Sequence, residues 1–520
     1  MFGENAMTKT KSKSVRSIAL IALLVLLCVG LGVTYAIVSR QTDDDSDSQK
    51  EPIPLLSGEI LESGGTVTFT RDGVNLTADG TLLMFEHLQK SSVSRLDVTN
   101  EFGSYAFVYD AAKDDFYLEG NPSIPYSEMS LISLMSDAGY AIVNRRVEDH
   151  CTDFSLYGLD DASLSASYTL TTLQGNTHTV LIGAQVPGSS YRYVRYAGRD
   201  AVYIARSSYA GTVMANVTSF VSPILATAMS TDDYYKVDDF YLKRNGETVT
   251  AIRYLDEAAR EQKSTIYEMT VPAAYTVNDT NYSAILQALC TPYGMSALDF
   301  SRDGNAVPDE VLQKYGVGEG QYIYVLHYVY GKAENTLYFS AKNEDGTYNC
   351  YSPRFGIVAQ CKGETFAFLD WDLLEYVSQV TLSLNINLIS SITIESPTVN
   401  EVFSLTGTDQ ELQMQVRSTG RIYTGDELKN FRRLYNTILV IDREEYAENP
   451  STDDLLLTLT IKKRDNTELV YRFYGYSTRR CYFTVNGVGE FTCLRDGVEK
   501  VINDTNRFMA GEEIDPWGKN

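Results

Sequence analysis

The sequence predicts an α+β, β-rich protein, with an N-terminal transmembrane helix followed by three related modules of antiparallel strands, each with one short helix. Three observations predict it. One uncharged run of membrane-spanning length stands near the N-terminus. Large apolar and polar residues alternate with period two through much of the rest, as in Tyr191-Arg192-Tyr193-Val194-Arg195-Tyr196. One order of strands, helix, strand and meander recurs three times.

The uncharged run is Ile18 to Val38, 21 residues. As a helix rising about 1.5 Å per residue it covers roughly 30 Å, the thickness of a hydrocarbon core. Lys9, Lys11, Lys13 and Arg16 precede it, while Asp43, Asp44, Asp45 and Asp47 follow. Basic residues are retained on the cytoplasmic side. Residues 1–17 are therefore expected as a cytoplasmic tail, 18–38 as a single pass through the lipid bilayer of the cell membrane, and the remainder outside the cell. A cleavable signal has an apolar stretch of only about 7–15 residues, so an uncleaved anchor is the reading. Residues 39–57 are acidic and low in complexity, which reads as a solvated tether.

The body beyond the tether is acidic, and the whole chain carries a formal net charge of -24. Such a surface repels phosphate backbones, so no nucleic acid partner is expected. Three segments align on an Asn-Thr pair, at Asn176-Thr177, Asn335-Thr336 and Asn466-Thr467, each followed by further strands. Upstream of each lies an amphipathic helix, read at Ser127 to Ala138, Tyr282 to Leu289 and Asp426 to Tyr435. Asn281 and Thr424 are the expected caps of the second and third. A strand is read after each helix, at Ala141 to Arg146, Ala297 to Arg302 and Ile438 to Arg443. These boundaries give modules at 58–230, 231–390 and 391–520. Asp72-Gly73, Asp79-Gly80, Asp303-Gly304, Asp345-Gly346, Asn486-Gly487 and Asp496-Gly497 read as tight hairpin turns. Tyr157-Gly158-Leu159 and Tyr315-Gly316-Val317 stand at matching places in the first two modules, and the third lacks them.

Cys28 falls inside the expected span, leaving Cys151, Cys290, Cys350, Cys361, Cys481 and Cys493. Cys350 and Cys481 each lie 15 residues after the asparagine of their Asn-Thr pair. Each has a second cysteine across an expected hairpin, which makes Cys350–Cys361 and Cys481–Cys493 the candidate disulfides outside the cytoplasm. Buried free thiols are the other reading.

No motif names a reaction. The four histidines His87, His150, His178 and His327 are scattered, with no H-E-x-x-H. Neither a G-x-S-x-G elbow nor a phosphate loop is present, so no catalytic residue, metal ligand or cofactor is expected. His327, inside the run YIYVLHYVY, reads as a sheet residue. Adjacent carboxylates at Asp160-Asp161, Asp232-Asp233, Asp238-Asp239 and around Asp370 and Asp372 leave a carboxylate-based hydrolase as a third-ranked reading.

The stretch SRLDVTNEFGSYAFVYDAAKDDFYLEG, with the later strand AIVNRRVED, resembles the domain-of-unknown-function family 4340 (DUF4340). The pattern at Ile182-Gly183, Pro187, Tyr191 and Val194 is similar to it as well, and together these cover about residues 55 to 230. The resemblance implies a bacterial protein held by an N-terminal membrane helix and lying outside the cytoplasm. Some members are associated with ABC-type export systems, and no catalytic residues come with the family. The expectation is an uncharacterized, membrane-anchored, non-catalytic component accessory to an ABC-type transport or cell-envelope system, partnered by transporter subunits or other envelope proteins. A surface protein that binds glycan or cell wall through exposed tyrosines is the second reading.

Overall fold

The protein is described here by a computed structural model covering residues 53–71, 73–263 and 265–518. The tail, the span with Cys28, and most of the tether lie outside those residues. Among the described residues no helix is long and apolar enough to cross a membrane. The chain divides into two compact units: residues up to Tyr109 with Ile132–Ala215, and Asp110–Leu131 with Asn216 onward.

In the first part of the chain the strands are β1 (Ile60–Arg71), β2 (Val74–Leu83), β3 (Val93–Asn100), β4 (Gly103–Asp110) and β5 (Asp115–Leu118). Helix α1 (Glu128–Gly139) follows, then β6 (Ile142–Val143), β7 (Arg145–Glu148), β8 (Ala166–Thr172), β9 (Thr177–Gln185), β10 (Tyr191–Tyr196) and β11 (Val202–Arg206). The first unit orders its strands β4-β3-β8-β9-β10-β11-β7-β1-β2-β6. Within it β1 and β7 run parallel. β5 belongs to the second unit.

The second unit holds two more sheets. One is built from β12 (Val237–Arg244), β13 (Glu247–Tyr254), β14 (Tyr267–Val271), β15 (Ser296–Phe300), β16 (Tyr324–Tyr330), β17 (Ala333–Phe339), β18 (Tyr348–Ser352) and β19 (Ile357–Cys361), with helix α2 (Asp279–Ala288) before β15. Its order is β14-β13-β12-β16-β17-β18-β19-β15. The other is built from β20 (Ile389–Glu395), β21 (Asn400–Thr406), β22 (Gln413–Val416), β23 (Ile422–Thr424), β24 (Arg443–Tyr446), β25 (Leu455–Lys463), β26 (Glu468–Gly475), β27 (Arg480–Val485) and β28 (Val488–Leu494). Helix α3 (Leu428–Leu439) precedes β24 and helix α4 (Arg495–Met509) follows β28. Its order is β23-β22-β21-β20-β25-β26-β27-β28-β24.

One pattern runs through all three sheets. Opening strands lie in reverse order (two in the first unit, three and four in the other sheets), a four-strand meander continues from the first of them, and the strand after the helix closes against the meander's last strand. The helix lies between strands that end up far apart in the sheet, so its apolar stripe is covered by the sheet face. Leu134 and Met135 of α1, Tyr282, Ile285 and Leu286 of α2, and Leu428, Phe431 and Leu434 of α3 are buried in this way. Each such side chain adds about 1.5–3 kcal/mol by leaving water. Asn176-Thr177 and Asn466-Thr467 stand at the start of the second meander strands β9 and β26, and Asn335-Thr336 lies inside the corresponding β17.

A small cluster under the meander also recurs. Leu159 packs with Cys151 and Val202 against Tyr157 and Tyr193, and Val317 packs with Val307 and Val358 against Tyr315 and Tyr338. The Tyr-Gly-Leu turn explains the glycine of the family-like pattern. Gly158 sits at φ 64°, and a Cβ on Gly183 would come within 2.8 Å of the Gly158 carbonyl oxygen and closer still to that of Tyr157. Gly183→Ala is expected to cost about 1–3 kcal/mol through overpacking against backbone that cannot yield. Thermal melting of the variant, beside Gly211→Ala in a helical stretch where no atom lies within 4 Å, checks it. Equal melting shifts would remove the packing account.

Several local expectations are corrected. Asn278, not Asn281, caps α2, its side chain accepting from the Asn281 N–H. Asn281 sits inside the helix and donates to the Glu375 carbonyl at 2.8 Å. Thr424 makes no side-chain cap and precedes a short 3-10 turn before α3. Ile438 is helical, so the strand after α3 begins at Arg443. Asp496-Gly497 opens α4 instead of a hairpin, because buried Val498, Val501 and Phe508 repeat at helical spacing through it. Asp79-Gly80 lies inside β2, beside the register shift of β1 between Glu62 and Thr66. The helices also exceed one per module: α4 and short helices at Ser207–Val213, Glu257–Lys263, Asp309–Lys314 and Leu373–Tyr376 are additional. Asn486-Gly487 is the hairpin turn expected, with φ of 51° and 87°.

Candidate functional site

The six cysteines outside the expected span are buried free thiols. Cys350 on β18 faces Ala359, and Cys361 on β19 faces Tyr348, so the two are diagonal neighbours. Cys481 and Cys493 lie directly opposite each other on β27 and β28. Burial pushes the Cys350 thiol up, with Cys361 beside it adding to the effect. It raises Cys481 to about 11. Thiols so held are poor nucleophiles at neutral pH. His327 on β16 stacks on Tyr241 at 4.6 Å and shares a 2.9 Å hydrogen bond with Thr336. Among the described residues no group of three or more His, Cys, Asp or Glu is placed to hold a metal ion.

The carboxylate pairs are dispersed. Tyr330 donates to Asp233. Burial, and then the neighbouring Asp239, raise the pKa of Asp238. Asp370 accepts from Tyr324 and, at 2.6 Å, from Tyr348, with Lys342 at 3.4 Å. Burial works to raise its pKa, but the Tyr324, Tyr348 and Lys342 hydrogen bonds outweigh it and hold the carboxyl below its usual range. A depressed folded pKa contributes stability that is present above the unfolded value of about 3.9 and lost as pH falls through the folded one. Asp370→Asn is therefore expected to flatten the acid limb of the stability curve below about pH 4. Urea midpoints between pH 2 and 6 check it, and an unchanged limb would assign the acid sensitivity elsewhere.

The site with the most converging chemistry is a cleft of about 530 Å³ in the second unit. One wall is β14, the edge strand of its sheet, with Thr265 just before it and Tyr275 and Asp279 after it. The opposite wall is the β25–β26 hairpin, through Lys463, Leu469 and Tyr471, with Leu382–Leu384 between. Local sequence sets each part. Thr265 accepts from the Tyr267 N–H and donates to its carbonyl at 3.0 Å, so that side chain satisfies the outer backbone of the edge strand. The left-handed Asn466 (φ 66°) closes the hairpin and leaves Lys463 at the end of β25. Tyr471 donates to the Thr381 carbonyl at 3.3 Å, tying the hairpin to the loop beside it.

The charges in this lining are unequal in availability. Glu268 is bridged by Arg253, whose Nε lies 2.7 Å from its carboxylate. Burial raises the pKa of Asp279. Among the described residues Arg260 and Lys463 have no carboxylate within ion-pair distance, while Arg260 lies over the ring of Tyr254 at 5.3 Å. The Arg260 Nε is buried without an acceptor. Burial raises the phenols of Tyr267, Tyr275 and Tyr471, which therefore stay neutral donors. The cleft combines two cations, aromatic rings and hydroxyls in a chain of strongly negative charge. No sequence signal pointed to it, because its walls come from β14 and from a hairpin almost 200 residues later, brought together only by packing.

A second cleft, of about 380 Å³, lies in the first unit and includes Asp137, Tyr140, Asn144 and Arg206. Burial raises the pKa of Asp137 against the hydrogen bond from Thr212.

Residues 123–300 match the model of the family described as "Domain of unknown function (DUF4340)". The resemblance read from the sequence thus holds at the level of the family, over a different extent. The matched region runs from just before α1 through the meander of the first sheet and on to β15 of the second. No curated protein matches the chain.

Proposed function

With a DUF4340 region as premise, we propose that the protein is a non-catalytic, membrane-anchored component that works outside the cytoplasm, accessory to an ABC-type transporter or a cell-envelope assembly. The observation that carries this reading is the recurrence of one strand order in three sheets, which we take as three copies of a single module. Arrays of repeated modules serve as extended surfaces for partners. An edge strand such as β23 offers backbone groups for strand addition. Residues 18–38 supply the anchor, with the basic tail inside.

The test is capture of the full-length protein from membranes in several mild detergents. Co-purification of a permease and its ATPase subunit is the expected result. Recovery of neither across all detergents would end this reading. Protease added to intact cells should remove the body and spare the tail; cleavage of the tail alone would reverse the orientation.

A second reading, recognition of cell-wall or surface glycan, is favoured by the cleft of about 530 Å³ in the second unit, whose lining includes the hydroxyls of Thr265, Thr276 and Ser383.

A further inference from the structure

We propose that β23 is the contact between two copies of this chain, which pair edge to edge as antiparallel strands about a two-fold axis through Tyr423. The inference rests on the use of β23 for strand addition in the reading above, and it names the strand that is added.

Backbone direction comes first. The Val416 N–H bonds the Arg421 carbonyl at 2.9 Å, one step beyond the Gln415–Ile422 pair of the β22–β23 ladder. Bonded and non-bonded pairs alternate along an antiparallel ladder. Tyr423, opposite Met414, therefore turns its N–H and carbonyl toward β22, while the N–H groups of Ile422 and Thr424 and the Ile422 carbonyl turn outward. That edge is open. Every residue from Arg421 to Glu427 is exposed except the half-buried Tyr423, and Ile422 is 51% exposed. Paired about Tyr423, the Thr424 N–H of each copy meets the Ile422 carbonyl of the other. Ile422 then lies beside a second Thr424, and Tyr423 beside its own counterpart. Side chains that are β-branched or aromatic suit such cross-strand positions.

Charge selects the partner and the direction. A chain of formal net charge -24 repels its own copies at long range, so self-contact needs opposite charges placed locally. Arg421 precedes β23, and Asp426 and Glu427 follow it. Antiparallel pairing sets the Arg421 of each copy beside the acids of the other, twice over, whereas parallel pairing would set like on like. Within one chain Arg421 and Glu427 lie 3.5 Å apart with both side chains more than half exposed. Such a pair is worth little in water, so its members are available to a second copy. A strand of unrelated sequence would not carry the same order of charges.

The test is sedimentation equilibrium of the full-length protein in a density-matched detergent, over a rising concentration series. A monomer–dimer equilibrium is expected. Arg421→Glu, and Asp426→Lys combined with Glu427→Lys, should each weaken dimerisation at least about tenfold, because each sets like charges together at both ends of the contact. An equimolar mixture of these two variants should recover dimers, since opposite charges then meet again. Ile422→Pro removes an outward N–H without touching the bonds to β22 and should weaken dimerisation as well. Arg354→Gln, on an arginine of the neighbouring sheet that reaches the Glu334 carbonyl, should leave it unchanged. Melting curves of the variants verify folding. A monomer at every concentration, a dimer indifferent to these changes, or a mixture no better than its parts would overturn the proposal. None of these results touches the capture of transporter subunits, so the accessory reading and this one fail separately.

Discussion

Arg146→Met is expected to destabilise the first unit by about 3–5 kcal/mol, the cost of stranding a buried charge. Arg146 and Glu59 form an ion pair whose side chains are both 0% exposed. Tyr203 donates to the other Glu59 oxygen at 2.6 Å, and Arg146 also reaches the Pro54 carbonyl at 3.2 Å. The guanidinium lies over Phe69 at 5.2 Å. Removing it leaves the Glu59 carboxylate in a dry site with one phenol and the Leu56 N–H, which is 2.8 Å away. Urea denaturation of the variant, followed by hydrogen exchange in β1 and β7, measures the loss. Arg146→Met combined with Glu59→Gln should recover part of it, since no uncompensated charge then remains. A loss under about 1 kcal/mol, the size of an exposed pair, would refute the account.

The second large effect is expected at Arg443, the equivalent strand position in the third sheet. Arg443 is 7% exposed and lies over Phe491, also at 5.2 Å. It donates to the carbonyls of Ser378 at 2.9 Å and Leu374 at 2.7 Å, and to that of Val377. Its backbone N–H reaches Gln379 at 2.8 Å. One side chain thus fixes the segment by which the chain enters its last sheet, as Arg146 fixes the Pro54–Glu59 segment before the first. Arg443→Met should cost about 3–5 kcal/mol, because three carbonyls lose charged donors together. Exchange of the amides of residues 374–380 should accelerate most. Arg443→Lys should fall between, since an ammonium keeps the charge but lacks the planar fork. Unchanged protection at 374–380 would show that the clamp does not hold the segment. In the second sheet the matching Arg302 lies outside, its side chain 52% exposed and paired with Asp299. Its loss should be nearly silent.

Much of the fold was legible beforehand because its signals are local. Period-two alternation marked β10, and Asn486-Gly487 marked the turn between β27 and β28. The errors were local too, where tertiary packing decided between competing local signals. Asp496-Gly497 has hairpin chemistry, yet the apolar residues beyond it made a helix against the sheet. Asn278 took the cap from Asn281 because Asn281 was drawn to the Glu375 carbonyl.

The sequence by itself determined the β-rich class, the threefold recurrence of helix and meander, and the likeness to a family. Each rests on patterns within some 40 residues. Only tertiary structure decided which residues could act together. The tyrosines the sequence counted as 37 divide into buried ones, Tyr168, Tyr282 and Tyr328 as well as the cleft-lining Tyr267 and Tyr471, and exposed ones such as Tyr293. Arg260 and Lys463 became one site because an edge strand of one sheet packs beside a hairpin of the next. Contacts between residues so distant in the chain follow from packing many side chains at once, which no local pattern records.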